Sequence, residues 1–241
     1  MTDLHTHILP GMDDGSKSVE MSLEMLRMER DQGVDAVVLT PHFYRDKERP
    51  EHFLKRRRAA AETLRDTLME LPEEELRSMP RLYMGAEVAW VPNLIDWPEL
   101  PRMCMGHSKN LLLELPFAPW SSQMFQQIYE LMSRTGITPV IAHIERYLKI
   151  QKTEHISELL SLGVPVQVSA EPLLHPLRRG KVLRLLQEQK AQFIASDCHD
   201  IVNRPPNLGL GATVMQQKLG EDVLRRMSRR SDELTTKPTH S

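Results

Sequence analysis

The sequence is poor in cysteine, in aromatic residues and in long apolar runs. Its two cysteines, Cys104 and Cys198, are too few for a disulfide framework or a thiolate-rich metal site. No apolar run approaches the about 20 residues that span a bilayer, and no segment has a signal-peptide pattern. The net charge of -2, from 31 basic and 33 acidic residues, favours neither a nucleic-acid partner nor a membrane surface. We therefore expect a cytoplasmic protein with no membrane insertion and no nucleic-acid ligand.

Apolar strand-like runs and amphipathic helical segments alternate seven times along the chain. No linker interrupts this alternation, which predicts one parallel α/β domain over residues 1–227. Residues 228–241 are polar and predict a frayed C-terminal tail. Two architectures fit the alternation, a closed barrel and a doubly wound open sheet.

The first predicted strand contains two histidines, His5 and His7. Alternate residues of a strand face the same side, so these imidazoles should point together. The turn that follows offers two carboxylates, Asp13 and Asp14. Two converging imidazoles suit a first-row divalent metal, although surface histidines near a chain end would show the same pattern.

Six of the seven predicted strands end in histidine, aspartate or glutamate. A lone residue of this kind is more often a hydrogen-bonded structural group than a ligand, so only the set carries weight. In a parallel barrel all carboxyl ends lie on one face, whereas an open sheet would spread them along an edge. The set therefore favours the barrel, and it consists of His5, His7, His42, Glu87, Glu114, His143, Asp197 and His199.

A group of ionisable side chains gathered at one barrel mouth would be costly to bury without a cation. Each such group would lose several kcal/mol of solvation. Mixed imidazole and carboxylate ligands are typical of Mn, Fe or Zn sites. The pattern thus predicts a metal centre at the carboxyl ends of the strands.

The motifs at these positions resemble the polymerase-and-histidinol-phosphatase (PHP) superfamily. More narrowly, residues 1–210 are similar to the bacterial manganese-dependent protein-tyrosine phosphatases of capsule and exopolysaccharide systems. The six motifs occur in family order, and they are His5-x-His7 with Asp13-Asp14-Gly15, Thr40-Pro41-His42, Gly85-x-Glu87, Leu113-Glu114-x-Pro116, His143-x-Glu145-Arg146 and Ser196-Asp197-x-His199. The chain departs from the family pattern at Ile144, at the loop 169–172 and at Cys198.

The resemblance implies a single-domain distorted (β/α)7 barrel, the PHP fold, with three divalent ions. Mn²⁺ is the implied metal, and Fe or Zn are the alternatives. It also implies that two arginines, Arg146 and Arg204, bind the substrate phosphate and take part in catalysis. Asp14 rather than Asp13 is the implied ligand of the first turn. The full implied ligand set is His5, His7, Asp14, His42, Glu87, Glu114, His143, Asp197 and His199.

The implied reaction is hydrolysis of phosphotyrosine by a metal-bridging hydroxide. Three divalent ions among four carboxylates would leave the site at about +2, which matches a phosphate dianion. The phenol leaving group has a pKa of about 10 and needs little help from a general acid. The implied partner is an autophosphorylating bacterial tyrosine kinase that regulates capsule or exopolysaccharide synthesis.

Three other functions fit parts of the sequence. Cys198 and Arg204 have the spacing of a cysteine phosphatase, but the intervening residues lack the glycine of a phosphate-binding loop. A phosphoesterase of the same fold could act on histidinol phosphate, on another small phosphomonoester or on a nucleic-acid 3′ end. A non-catalytic metal-binding module would use the same ligands to bind a partner protein. We expect the tyrosine phosphatase.

Overall fold

The computed structural model describes residues 1–235, in which parallel strands alternate with helices. The strands are β1 (Thr2–Thr6), β2 (Ala36–Leu39), β3 (His42–Phe43), β4 (Arg81–Met84), β5 (Glu87–Ala89), β6 (Asn110–Glu114), β7 (Thr138–Ile141), β8 (Gln167–Ser169) and β9 (Phe193–Ala195). The helices are α1 (Val19–Asp31), α2 (Pro50–Met69), α3 (Glu73–Ser78), α4 (Ser122–Thr135), α5 (Thr153–Ser161), α6 (Glu171–Leu174), α7 (Arg179–Gln187), α8 (Leu208–Leu219) and α9 (Glu221–Thr235). The predicted α/β class is confirmed.

Local sequence accounts for these elements. Strand β2 is an unbroken apolar run and is completely buried, as expected for a parallel strand covered on both faces. Helix α4 begins after Ser121, whose side chain accepts a hydrogen bond from the backbone N–H of Met124, and it ends at Gly136 with φ of +69°. Its apolar residues recur at helical spacing and pack into the core.

The hydrogen-bonded strands fall into three parallel sheets. Their orders are β1-β2-β4, β3-β5-β6-β7 and β8-β9. In the described residues these sheets do not join into one closed sheet, so the predicted closed barrel is not confirmed. One reason is Pro41 between β2 and β3, which has no N–H to donate and interrupts the ladder. Isolated parallel bridges connect the sheets at Thr6 with Cys198 and at Ile141 with Val166.

A small apolar cluster lies between the sheets, apart from the large core beneath the helices. Five strands each contribute one residue to it, and these are Leu4, Val38, Leu112, Val140 and Phe193. All five side chains are nearly or completely buried. The strands of the three sheets therefore share one interior.

Helix α9 runs to Thr235 and packs against the strands. The hydroxyl of Thr2 donates to Asp232 at 2.5 Å, and the backbone N–H of His107 donates to the carbonyl of Thr235 at 3.1 Å. The prediction of a frayed tail from residue 228 is therefore wrong for residues 228–235. Ser231 and Thr235 are buried although they are polar, and that burial cannot be read from an apolar pattern. Residues 236–241 of the predicted tail lie outside the described residues.

Gly106 packs directly against the end of α9. Its φ is +59°, and a Cβ there would lie 2.6 Å from the carbonyl oxygen of Thr235. We expect Gly106→Ala to lower the free energy of unfolding by about 2–4 kcal/mol, because left-handed strain adds to a backbone clash. Urea denaturation would measure this change.

Gly163 provides the matched control for Gly106. Its φ is +73°, and nothing lies within 4 Å of a Cβ built there. Gly163→Ala should therefore cost only the strain of the left-handed backbone, about 1 kcal/mol. Equal losses for the two variants would contradict close packing of α9 against Gly106.

Candidate metal centre

Two histidines at the end of β1 begin the site. His5 and His7 are completely buried, and their Nε2 atoms lie 3.1 Å apart. Each ring is oriented through its other nitrogen, since Nδ1 of His5 lies 3.2 Å from Gln167 and Nδ1 of His7 lies 2.8 Å from Asp13. Two imidazole nitrogens that face each other in this way fit a shared cation well.

The acidic turn after β1 separates the roles of its two aspartates. Asp13 accepts hydrogen bonds from the backbone N–H groups of His42 and Gly15, both at 2.8 Å, and so orients the first turn. Asp14 instead presents a carboxylate oxygen 3.5 Å from Nε2 of His42 and 3.6 Å from Nε2 of His199. The geometry therefore favours Asp14 over Asp13 as the cation ligand.

Glu87, at the start of β5, lies at the centre of the cluster. Its Oε1 is 3.0 Å from Nε2 of His143. Its Oε2 is 2.8 Å from Nδ1 of His42, 3.1 Å from Nε2 of His5 and 3.4 Å from Nε2 of His7. One carboxylate thus contacts four imidazoles that come from three separate parts of the chain.

The remaining predicted residues close the cluster. Glu114 lies 3.5 Å from Nε2 of His143, and Asp197 lies 3.5 Å from Nε2 of His5. The ring of His199 lies against that of His7, with centroids 3.8 Å apart and ring planes tilted by 31°. The structure thus brings together all nine side chains that the resemblance implied.

Three overlapping groups have ligand atoms close enough to share an ion. They are His7, Asp14, His42 and His199; His5, His7 and Glu87; and His42, Glu87 and Glu114. In addition, Nε2 of His199 is buried without a hydrogen-bond partner among the described residues. A buried polar atom that lacks a partner is costly, and a bound cation would satisfy it. The donor set therefore fits divalent metal.

The carboxylates of the cluster raise the pKa values of two of its histidines. Burial disfavours the charged form of His7, but hydrogen bonds with Asp13 and Glu87 outweigh it and raise the pKa of His7 to about 10. Burial likewise opposes the charge on His143, yet Glu114 and Glu87 raise its pKa to about 9. Protons therefore occupy imidazoles that would have to be neutral to bind metal.

Two arginines reach the cluster through Asp197. Nη2 of Arg204 lies 2.8 Å from Oδ2 of Asp197, and Arg146 forms an ion pair with the same oxygen. Burial would raise the pKa of Asp197, but the charges of His5 and Arg146 hold it below its usual range. Both guanidinium groups remain more than a third exposed, so they are accessible to a substrate.

Two residues of the cluster have a left-handed backbone. The φ of His143 is +32° and that of Asp197 is +55°, although neither is glycine. Such conformations cost of order 1–3 kcal/mol and cluster at functional sites.

Sequence reasoning missed Gln167. Its Oε1 lies 3.2 Å from Nδ1 of His5 and accepts a hydrogen bond from the backbone N–H of His143 at 2.9 Å. The side chain therefore ties together two residues of the cluster. The available signal was a polar residue inside an otherwise apolar predicted strand, because a buried amide requires partners.

Cys198 is not placed to act as a nucleophile. It is completely buried, and burial together with the charges of Glu29 and Asp3 raises its pKa well above its usual range. Reactive thiols have lowered pKa values and access to solvent. The geometry therefore disfavours the cysteine phosphatase.

The fold and its side chains define an α/β protein whose candidate metal centre is formed by residues within and directly after its strands. The family model for capsular polysaccharide synthesis, CpsB/CapC, matches residues 1–234. The chain belongs to the CpsB/CapC family, which confirms the resemblance to the capsule-system proteins. Within residues 1–235, no helix combines the length and apolar character that crossing a membrane requires.

Curated relatives are similar over most of the chain. The CapC protein of Staphylococcus aureus is 32% identical over 212 residues, which cover 85% of this chain and 79% of the relative. The tyrosine-protein phosphatase CpsB of Streptococcus pneumoniae is 29% identical over 239 residues, 91% of each chain. The tyrosine-protein phosphatase YwqE of Bacillus subtilis is 28% identical and covers 92% of this chain and 87% of its own.

A solved structure supports the fold. A chain from crystal structures of YwqE from Bacillus subtilis and CpsB from Streptococcus pneumoniae, described as metal-dependent tyrosine phosphatases, superposes with a TM-score of 0.83. It is 24% identical, and the match covers 98% of this chain and 94% of the other. The two chains therefore share one fold.

Proposed function

We propose that this protein is a metal-dependent protein-tyrosine phosphatase. The observation that carries the proposal is the convergence of eight imidazole and carboxylate side chains around Glu87, beside two accessible arginines. The tyrosine phosphatase names of its CpsB and YwqE relatives support the same activity. Metal, phosphate and leaving group would then meet at one face of the fold.

Nine side chains would hold the metal, and seven of them fall into three overlapping groups, with His143 and Asp197 beside them. Mixed imidazole and carboxylate donors suit Mn²⁺, and Fe or Zn would fit the same donors. Three divalent ions among four carboxylates give a site charge near +2. When bound, these ions would neutralise phosphate charge and lower the pKa of water. The proposed ligands are His5, His7, Asp14, His42, Glu87, Glu114, His143, Asp197 and His199.

Arg146 and Arg204 would bind the phosphate. A guanidinium group presents paired N–H donors that match phosphate oxygens and keeps its charge at any working pH. Asp197 accepts from both arginines and thereby holds them at the edge of the cluster. The two positive groups would stabilise the negative charge that spreads over the phosphoryl oxygens in the transition state.

The distorted (β/α)7 barrel remains part of the proposal. Strands β2 and β3 follow one another closely along the chain, as do β4 and β5. If each pair counts as one barrel strand, the nine strands make seven. The isolated bridges from Thr6 to Cys198 and from Ile141 to Val166 would connect the sheet β8-β9 to the other two sheets. The shared apolar interior also supports such a barrel. The single-domain division predicted from the sequence stays a prediction.

The substrate would be a phosphotyrosine protein in capsule or exopolysaccharide synthesis. The description of the family as capsular polysaccharide synthesis supports this pathway. The partner would be an autophosphorylating bacterial tyrosine kinase. The cytoplasmic location expected from the sequence also stays a prediction.

A substrate panel tests the proposed activity. The purified protein with Mn²⁺ would be given a phosphotyrosine peptide, histidinol phosphate and single-stranded DNA. We expect kcat/KM to be highest for the phosphotyrosine peptide. A preference for histidinol phosphate would instead support a small-molecule phosphoesterase, and peptide binding without turnover would support a non-catalytic module.

Metal binding should release protons. At pH 7.5 the raised pKa values of His7 and His143 keep both imidazoles protonated in metal-free protein, and metal requires them neutral. We expect about two protons to be released per protein molecule, and fewer as the pH rises through 9 and 10. Titration calorimetry with Mn²⁺ in buffers of different ionisation enthalpy measures this number. A heat independent of the buffer at pH 7.5 would contradict the account.

A further inference from the structure

A cavity of about 640 Å³ opens on the arginine side of the cluster. Arg146, Arg204 and Asp197 form its inner wall. Its outer wall comes from the region of α6 and α7 and includes Leu177, which is completely exposed, and Lys181. The cavity therefore connects the proposed phosphate position with the protein surface.

Two lysines in this cavity have no ion pair among residues 1–235. Lys149 lies three residues after Arg146 on the 3-10 helix Ile144–Lys149. Side chains at i and i+3 of such a helix eclipse each other, so Lys149 extends along the same face as Arg146. Lys181, in the first turn of α7, lines the same cavity.

The other cations of the cavity already have partners. Arg146 and Arg204 pair with Asp197, and Arg178 pairs with Glu171. Five cationic side chains face three acidic ones in the lining. The lining therefore carries two more positive than negative groups, and Lys149 and Lys181 are its cations without an ion pair among residues 1–235.

A second cavity, of about 690 Å³, borders the cluster at Asp14 and His42 and does not have this surplus. Its lining includes Asp13, Asp14 and Glu48. Arg56 forms an ion pair with Glu48 at 2.7 Å, and Lys47 lies 3.9 Å from the ring centre of Tyr44. The cations there are therefore already engaged, and an anionic substrate would favour the arginine side.

We propose that Lys149 and Lys181 form a second anion subsite, which binds a further acidic group of the substrate beside the phosphotyrosine. The inference rests on the proposed phosphatase activity and names the substrate class more closely: phosphotyrosyl segments that carry a neighbouring carboxylate or a second phosphate. With the phosphate at Arg146 and Arg204, the chain of the substrate runs outward through the cavity. Its next acidic group then meets the two unpaired ammonium groups.

The test compares three peptides of one length, each with a single reacting phosphotyrosine. The flanking residues are neutral in the first, contain two glutamates in the second, and contain a non-hydrolysable phosphonate analogue of phosphotyrosine in the third. The readout is the ratio of kcat/KM for each acidic peptide to that for the neutral one. Two exposed charge pairs predict a ratio of about five to ten. The second and third peptides show whether a carboxylate or a phosphate is the better occupant.

Variants assign the preference to the two lysines. Lys149→Gln with Lys181→Gln should bring both ratios to about one, whereas Lys149→Arg with Lys181→Arg should retain them because the charge is kept. The matched control is Lys55→Gln with Lys218→Gln, which removes the same charge from exposed positions on α2 and α8 and should retain the wild-type ratios. A wild-type ratio near one, or a ratio unchanged in the glutamine pair, would overturn the subsite. Absence of turnover on all three peptides would instead overturn the phosphatase itself.

Discussion

Replacement of Glu87 by glutamine is expected to abolish turnover of a phosphotyrosine peptide, with kcat/KM falling about a thousandfold or more. Glu87 is almost completely buried, and its two oxygens contact four imidazoles. Glutamine keeps the shape but removes the negative charge and turns an N–H₂ donor toward the imidazole nitrogens. The metal content of the purified variant should fall together with its turnover.

Glu74→Gln is the matched control for this substitution. Glu74 is an exposed residue of α3, distant from the cluster, so its substitution should leave metal content and kcat/KM at wild-type values. Circular dichroism of the Glu87 variant would show whether the fold is retained. A folded Glu87→Gln protein with wild-type turnover would refute the central position of this carboxylate.

Combined substitution of the two arginines is the second large effect. We expect Arg146→Ala with Arg204→Ala to lower kcat/KM by about a thousandfold, because two guanidinium groups that stabilise the transferring phosphoryl group are lost together. Arg204→Ala alone should mainly raise KM, if Arg204 binds ground state and transition state alike. The single losses should not add, since both arginines share Asp197. Steady-state kinetics on a phosphotyrosine peptide measures all three variants.

The control for the arginine pair removes the same charge elsewhere. Arg58 and Arg225 are exposed helical residues that pair with neighbours on their own helices. Arg58→Ala with Arg225→Ala should change kcat/KM by less than about twofold. If the Arg146 and Arg204 double variant behaved like this control, phosphate binding would have to be assigned to other groups.

The convergence of the candidate site residues was predictable from sequence because of where these residues stand in the chain. Each of His42, Glu87 and Glu114 follows an apolar run, and parallel strands bring their carboxyl ends to one face. Hydrophobic periodicity and the change from apolar to polar residues are local features of the sequence, so they can be read without knowing how the chain packs. The motif order added the choice of Asp14, which the distances to His42 and His199 favour.

Features that depend on long-range packing were not predictable. Gln167 contacts His5 across 162 residues, and although its polarity within an apolar strand marks it as unusual, no local pattern indicates which residue it contacts. The division into three sheets depends on how the backbone passes Pro41 and on single bridges between sheets. The burial of Ser231 and Thr235 depends on where α9 packs, which polarity alone does not indicate.

The most direct test of the central claim is turnover of a phosphotyrosine peptide before and after metal removal. The account predicts that EDTA abolishes turnover and that added Mn²⁺ restores it. It also predicts that His5→Ala, which lacks one of two facing imidazoles, is not restored. Undiminished turnover in chelator, with no metal detected in the protein, would contradict the account.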